Sequence, residues 1–273
     1  MESKVTEALD ADGLRRMDEN RAHWEAQAKA HDTEADASWG DAHAMELEVA
    51  NLLPHIHAGA RVLDAGCANG FTTFRVLEKA PAAVHAFDFS PRMIDAARRA
   101  AATRDPLGKV KLYEGNILDI HEPDGTFDVA YAVRVLINLP GWPAQAKAIR
   151  EMHRVLRPGG KYLLTEGFAG SMRKLNGLRA LADLPPIAPP SFNIWIEESE
   201  LEELARPLFE IETVSRFMSP YYVATRFLRE LTLAGGEPAS YDSPLHRVAA
   251  ALAVTARSGD FGGIKTYVLV KRG

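Results

Sequence analysis

A single cysteine, Cys67, in 273 residues leaves no partner for an intramolecular disulfide and fits a reducing compartment. No apolar run approaches the ~20 residues needed to span a bilayer, and the opening Met1-Glu2-Ser3-Lys4 lacks the apolar segment of a secretory leader. These absences predict a soluble, cytoplasmic protein with no membrane contact. Positive charge is not in excess either. Against 37 Asp and Glu stand 32 Lys and Arg, and the formal net charge of −5 gives no global attraction to nucleic acid or anionic lipid. No His/Cys cluster has metal-ligand spacing, so no metal is expected, and repeats and low-complexity runs are missing too. What is there is ordinary globular composition, 47% apolar and 25% charged, enough for one large domain or a domain with a cap.

One stretch stands out against that background: Val62-Leu63-Asp64-Ala65-Gly66-Cys67-Ala68-Asn69-Gly70. A short apolar strand ends at an acid, a small-residue turn follows, and Phe71 to Ala80 has the pattern of a helix. Glycines in such a corner let backbone N–H groups approach a ligand closely. A dinucleotide site would need G-x-G-x-x-G. Here the spacing is Gly66-x-Ala68-x-Gly70, and Phe71 takes the place of the third glycine. Asp64, two residues before the first glycine, would repel a pyrophosphate and suits a cationic amino-acid moiety.

Downstream, strands and helices alternate. Ala83 to Asp88 is a second strand ending in an acid, eighteen residues after Gly70, where a carboxylate can accept both hydroxyls of a ribose. Ser90 can cap a helix that starts at Pro91. Val110 to Glu114 leads into Gly115-Asn116-Ile117, and Thr126 to Val133 is apolar as a buried parallel strand should be. A helix from Pro143 to Leu156 stops at Arg157-Pro158-Gly159-Gly160, and Lys161 to Glu166 is a fifth strand. Such alternation predicts parallel pairing, helices on both faces and a ligand beyond the strands' carboxyl ends. Asp64, Asp88, Asn116, Arg134 and Glu166 all fall at those ends.

The segment from Asp64 to Gly70 resembles motif I, (D/E)-x-G-x-G-x-G, of the class I S-adenosylmethionine-dependent methyltransferases, with Ala68 in place of the middle glycine. Asp88, Ser90, Met93 and Ala97 match the family's D-x-S-x-x-M-x-x-x-A, Gly115-Asn116 its G-N, and Arg154 to Gly160 its R-V-L-R-P-G-G turn. The likeness is close over residues 60–167 and loose over the last strands. It implies an α/β fold: a doubly wound, Rossmann-like, mostly parallel sheet of seven strands with the last antiparallel. It implies S-adenosylmethionine as cofactor and S-adenosylhomocysteine as product. Asp64, Ala65, Gly66 and Gly70 would lie at the methionine part, Asp88 at the ribose, and Asn116 and Ile117 at the adenine. Phe89, Met93, Val133, Arg134 and, from the N-terminal arm, Trp39 complete the implied set. The N/D-P-P-Y/F signature of enzymes acting on nucleic-acid bases or glutamine side chains does not follow the fourth strand.

Three regions follow from this reading. Residues 1–58 form a helical arm, with helices over Thr6 to Ala30 and His43 to Leu53, whose Trp24 and Trp39 either cover the cofactor or pack the arm down. Residues 59–167 form the cofactor-binding core. Residues 168–273 carry the remaining strands, Phe209 to Met218 and Gly263 to Val270, with cap insertions at about 168–196 and 219–262. The second insertion reads as helices over Tyr222 to Ala234 and Pro244 to Arg257. These insertions hold Phe168, Phe192, Trp195, Tyr221, Tyr222, Phe227 and Tyr241, which suit a pocket for a small organic substrate or, alternatively, a homodimer surface. The expected reaction is in-line methyl transfer to an O, N or C nucleophile of a small molecule. Glu166 is the candidate base at a strand mouth, with Tyr221 and Tyr222 reaching from the cap and His31 and His43 in the arm as further candidates. Glu166 serves equally as a carboxylate that holds the cap or the cofactor's amino group. A nicotinamide-dependent oxidoreductase and a cofactor-binding regulatory protein without turnover remain the alternative classes.

Overall fold

The computed structural model describes residues 9–34, 37–105, 107–232, 246, 249–250, 253–254 and 259–273. Two helices lead in. α1 (Ala11–His31) is capped by Asp10, whose carboxylate accepts the Gly13 N–H at 2.8 Å, and α2 (Ala42–Leu52) is capped by Asp41. Strands and helices then alternate through β1 (Arg61–Ala65), α3 (Phe71–Lys79), β2 (Ala83–Asp88), α4 (Pro91–Arg104), β3 (Val110–Glu114), β4 (Phe127–Val133), α5 (Trp142–Val155) and β5 (Leu156–Gly167). The last part holds α6 (Ala169–Ala180), α7 (Glu198–Leu208), β6 (Phe209–Ser215), α8 (Ser219–Val223) and β7 (Ile264–Lys271). Beyond α8 the helix continues through a π-wound turn, Ala224–Leu228, to Arg229–Thr232.

The seven strands make one sheet in the order β3-β2-β1-β4-β5-β7-β6. All pairings from β3 to β5 are parallel, and β7 runs antiparallel to both its neighbours, β5 and β6. β1 lies inside the sheet and is buried at every position after Arg61, which is why apolar Val62 and Leu63 precede Asp64. Alternate residues feed two cores. Leu63, Ala130, Tyr162 and Leu269 pack with Ile149 and Met152 of α5 and Leu201 of α7. Val62, Tyr131, Leu163 and Val268 pack on the other face with Leu52, Val76 and Ile94. The chain order reverses between β1 and β4, and in such sheets the crevice outside the carboxyl ends at that point receives ligands.

Several boundaries differ from the sequence expectation. β5 starts at Leu156 because Arg157 to Gly160 bulge out of the ladder: Phe127 pairs with Leu156, yet Val129 pairs with Lys161. Gly160 is required there, since a Cβ would stand 2.9 Å from the Arg157 carbonyl oxygen and 3.1 Å from that of Asp128. β6 ends at Ser215 rather than Met218. Tyr241 and most of the helix expected over Pro244 to Arg257 lie outside the described residues. Among the described residues no helix is long and apolar enough to cross a membrane.

α2 is tied to the sheet by a buried polar chain. Asn51 Nδ2 donates to Thr266 Oγ1 at 2.7 Å, Ser215 Oγ donates to Asn51 Oδ1 at 2.6 Å, and Thr165 and Thr266 hydroxyls meet at 2.7 Å. Asn51→Ala leaves the buried Thr266 hydroxyl and the half-buried Ser215 hydroxyl each short of a partner and should lower unfolding free energy by about 1–3 kcal/mol. Urea denaturation checks this; an unchanged midpoint would remove the tie from the account of stability.

Candidate functional site

The glycine turn is shaped by two neighbours. Gly66 and Cys67 N–H groups both donate to the Phe87 carbonyl, at 2.8 and 2.9 Å, locking the turn against the end of β2. Gly66 has φ +81, and a Cβ on it would meet Val135 Cγ2 at 2.5 Å. Ala68 is also left-handed, with φ 48. Its N–H donates to Asp88 Oδ2 at 2.9 Å, which helps hold the strained conformation. Asp88 Oδ1 accepts the Ser90 N–H at 2.9 Å, and Ser90 Oγ in turn accepts the Met93 N–H as the cap of α4. Burial pushes the Asp88 carboxyl up to about 6 against the backbone N–H groups that lower it.

Asp64, 2% exposed, accepts the Thr73 hydroxyl at 2.6 Å and the Tyr131 hydroxyl at 2.8 Å, both on Oδ2. Burial outweighs these bonds and pushes its carboxyl up to about 7. Asn116 Oδ1 accepts the Leu118 N–H at 2.9 Å, fixing the turn after β3.

The loop after β4 is organised by Glu166. Its carboxylate, fully buried at the end of β5, accepts the N–H groups of Val135 and Leu136 at 2.8 Å each and of Ile137 at 3.3 Å. Burial raises this carboxyl to about 8 against those three donors. Arg134, just before them, has φ 57. Its N–H continues the sheet to the Thr165 carbonyl, and its own carbonyl accepts Asn138 Nδ2 at 2.7 Å. The guanidinium lies 4.7 Å over the Trp39 ring and donates from Nε to Glu48 Oε1 at 2.9 Å. Glu48 is buried in α2; burial pushes its carboxyl up and Arg134 draws it down.

These parts surround connected space. The first cavity, about 750 Å³ with its mouth included, has Gly66, Asp88, Asn116 and Arg134 in its wall. A second, about 690 Å³, shares Trp24, Ser38, Arg134 and Asn138 with the first and adds Trp39, Phe192, Trp195 and Tyr222. A third hollow carries Asp64, Gly66 and Arg134, so Arg134 borders all three. α1 covers the first cavity with Met17, Asn20 and Trp24. It is held by Asn20 Nδ2 donating to the Asn138 carbonyl, by Glu25 accepting from Ser90 Oγ and pairing with Arg92 at 3.0 Å, and by Asn69 donating to the Asp32 and Glu34 carbonyls.

Of the residues singled out in the sequence, Phe89, Met93, Ile117 and Val133 also line the first cavity, and Trp39 lines the second. Ala65 and Gly70 line none of these. Ala65 is buried in the sheet, and Gly70, with φ +84, makes room for the Phe74 ring, which a Cβ would meet at 2.5 Å. The base candidates separate. Glu166 is committed to three amides and is fully buried, so the structure gives it the role of holding a loop. Tyr221 is buried and donates to Asp41 Oδ1 at 2.7 Å. Tyr222 reaches the second cavity. His31 and His43 line neither of the two large cavities. Met17, Asn20, Ser38, Asn138 and Asn193 line these cavities without a motif to announce them; only the run Arg134 to Leu139, sitting at a strand mouth, marked the place of Asn138.

Residues 62–160 match the family model described as a methyltransferase domain. The chain is 28% identical over 211 residues to the 27-O-demethylrifamycin SV methyltransferase of Amycolatopsis mediterranei (strain S699), covering 73% of this chain and 74% of that protein. It is 36% identical over 110 residues to the demethylmenaquinone methyltransferase of Thermus thermophilus, covering 40% of this chain and 48% of that one. The chain therefore spans about half the length of that relative. Among solved structures, the 4+2 cyclase SpnF superposes with a TM-score of 0.55 at 23% identity, covering 84% of this chain and 80% of that one. The geranyl diphosphate C-methyltransferase of Streptomyces coelicolor A3(2) gives 0.55 at 14% identity, covering 84% and 79%. These two likenesses are of fold.

Asp64 supplies a test by proton linkage. Its carboxyl stands near 7 when folded and near the ordinary ~3.9 when unfolded. The folded chain thus holds the extra proton, and this stabilising contribution is lost as pH rises through about 7. Asp64→Asn should flatten the fall of unfolding free energy between about pH 4 and 7, read by urea titration at several pH values. Parallel profiles for variant and parent would contradict the assignment.

Proposed function

We propose that this chain, which belongs to the class I S-adenosylmethionine-dependent methyltransferases, transfers the sulfonium methyl group of S-adenosylmethionine to an O, N or C nucleophile of a small organic molecule. The observation that carries the reading is the convergence of the Gly66 turn, Asp88, Asn116 and Arg134 on one cavity at the point where strand order reverses, with an aromatic second cavity opening from it.

The residues present fit the cofactor. Gly66, where Val135 leaves no room for a Cβ, presents bare backbone to the cavity wall. Asp88 accepts the Ala68 N–H on one oxygen and the Ser90 N–H on the other, and the capacity left over would take a ribose hydroxyl. Asn116 and the apolar Phe89, Met93 and Ile117 suit the edge and faces of adenine. At the other end Asp64 would face the amino-acid ammonium. S-adenosylmethionine, when bound, supplies a methyl group already activated on a cationic sulfur. The chain's own task is alignment and exclusion of water, and α1 supplies a wall on the solvent side.

Small acceptors are supported by the relatives' names, which specify a rifamycin and a menaquinone precursor, and by the second cavity, a concave hollow with a mostly apolar wall. Phe192, Trp195 and Tyr222 line that cavity, which supports an acceptor pocket over a dimer surface. The net charge of −5 speaks against nucleic acid, and the single buried thiol, Cys67, suits a cytoplasmic setting. We assign residues 1–58 to a lid, 59–167 to the cofactor core and 168–273 to the remaining strands and cap.

Asp88→Ala removes a carboxylate that would be hydrogen-bonded to the ribose and should weaken S-adenosylhomocysteine binding by more than about tenfold. Calorimetry on parent and variant reads this directly, and equal affinities would falsify the cofactor site. Trp24→Ala thins the lid and should speed S-adenosylhomocysteine release in stopped-flow measurements. An unchanged dissociation rate would show that α1 does not close the site.

A further inference from the structure

We infer that the second cavity takes a planar, polyhydroxylated aromatic acceptor whose nucleophilic oxygen ionises against Arg134, without a base from the described residues that line the cavity; this rests on the methyl-transfer reading above. The walls come first. Trp39, Phe192, Trp195 and Tyr222 line the cavity from three separate parts of the chain, and Trp24 closes it where it meets the first cavity. Phe192 stands edge-on to Trp24, with ring centroids 6.3 Å apart at 80°. Rings converging from distant segments offer faces and edges for stacking on a flat π-system.

The chemistry comes from what the lining holds. Among the described residues it contains two ionisable side chains, Arg134 and Tyr222. The Tyr222 phenol is pushed up to about 12 by burial, with Glu48 and Asp41 adding to the shift, so it is neutral near pH 7. Glu48 holds the Arg134 guanidinium, and Glu166 holds the loop amides. Among the described residues that line this cavity no group of suitable basicity is therefore left for the acceptor, and His23 stands behind the wall, stacked on Phe192 at 4.7 Å. An aliphatic alcohol or a protonated amine would need one. A phenol, ordinarily near ~10, needs none once an adjacent guanidinium favours its anion.

Two further groups ask for donors. Asn138 and Asn193 both line this cavity, and the Oδ1 atom of each is buried with no hydrogen-bond partner. The amide of Asn138 is oriented by its Nδ2 bond to the Arg134 carbonyl, so its oxygen is the atom turned away. Additional hydroxyls on the acceptor would satisfy these oxygens, which otherwise bear the cost of burial. The reaction balances simply. The hydroxyl proton leaves to solvent, and the phenolate oxygen attacks the methyl carbon. The new O–C bond forms as the C–S bond breaks, and sulfur keeps the bonding pair. The products are an aryl methyl ether and S-adenosylhomocysteine.

The test uses the full chain in two arms. With S-adenosylhomocysteine bound, 1,3-dihydroxynaphthalene should quench tryptophan fluorescence saturably, and Asn193→Ala should weaken it more than it weakens 2-naphthol. With S-adenosylmethionine at fixed neutral pH, kcat/KM over phenols and naphthols of graded acidity should rise by more than about tenfold as the acceptor becomes more acidic. Arg134→Met should remove most of that advantage. Turnover of aliphatic alcohols or amines at the same efficiency, or rates indifferent to acceptor acidity, would overturn the inference. Calorimetry with S-adenosylhomocysteine separates the two levels. If it binds and no aryl alcohol quenches or reacts, this inference alone fails; if it does not bind, the methyl-transfer reading fails as well.

Discussion

The functional end of this molecule depends on one buried carboxylate. Glu166 takes the N–H groups of Val135, Leu136 and Ile137 together, at a place where the chain leaves β4 and would otherwise turn freely. An isolated carboxylate would not be tolerated at such depth, and three amide donors are what make its burial acceptable. In return the loop has one conformation. It sets Arg134 in its left-handed position, presses Val135 against the glycine turn, and directs Asn138 back to the Arg134 carbonyl. The adenosine-sized cavity, the aromatic cavity and the hollow between them all meet at Arg134.

The electrostatics around that loop are asymmetric. Asp64, Asp88, Glu166 and Glu48 are all buried near the carboxyl end of the sheet, and burial raises each of their carboxyls. The Arg134 guanidinium draws down the carboxyls of Glu48 and Glu166, and is itself divided between Glu48 and the Trp39 face. A site built this way favours a ligand that brings positive charge and carries its own hydrogen-bond donors. A sulfonium with an ammonium group has that character, and a dinucleotide pyrophosphate does not.

The two halves of the site were unequally legible in the sequence. The cofactor half is local: Asp64, Gly66, Asp88 and Asn116 sit at strand ends, and the alternation of apolar runs places strand ends on one edge. Motif spacing treats Gly66 and Gly70 alike, and each makes room for a side chain, Val135 and Phe74, yet only Gly66 lines the cavities, a difference that only packing reveals. Glu166 was visible as an acid at a strand mouth, but its role depends on where the amides of a loop thirty residues earlier point. The acceptor half is assembled from Ser38, Asn138, Asn193 and rings far apart in the chain, and no short-range pattern joins them.

α1 has a further consequence for how the protein works in time. Of its twenty-one residues, Gly13, Asn20 and Ala28 are the buried ones, and its hold on the sheet is largely polar. Segments with little buried apolar surface open at lower free-energy cost than core strands. The cavity's outer wall is thus its most weakly anchored part, while its inner wall, tied to Glu166, is among the most rigid. Were α1 to open first, exchange of the cavity's contents would depend on that helix and not on how well the reacting atoms are aligned.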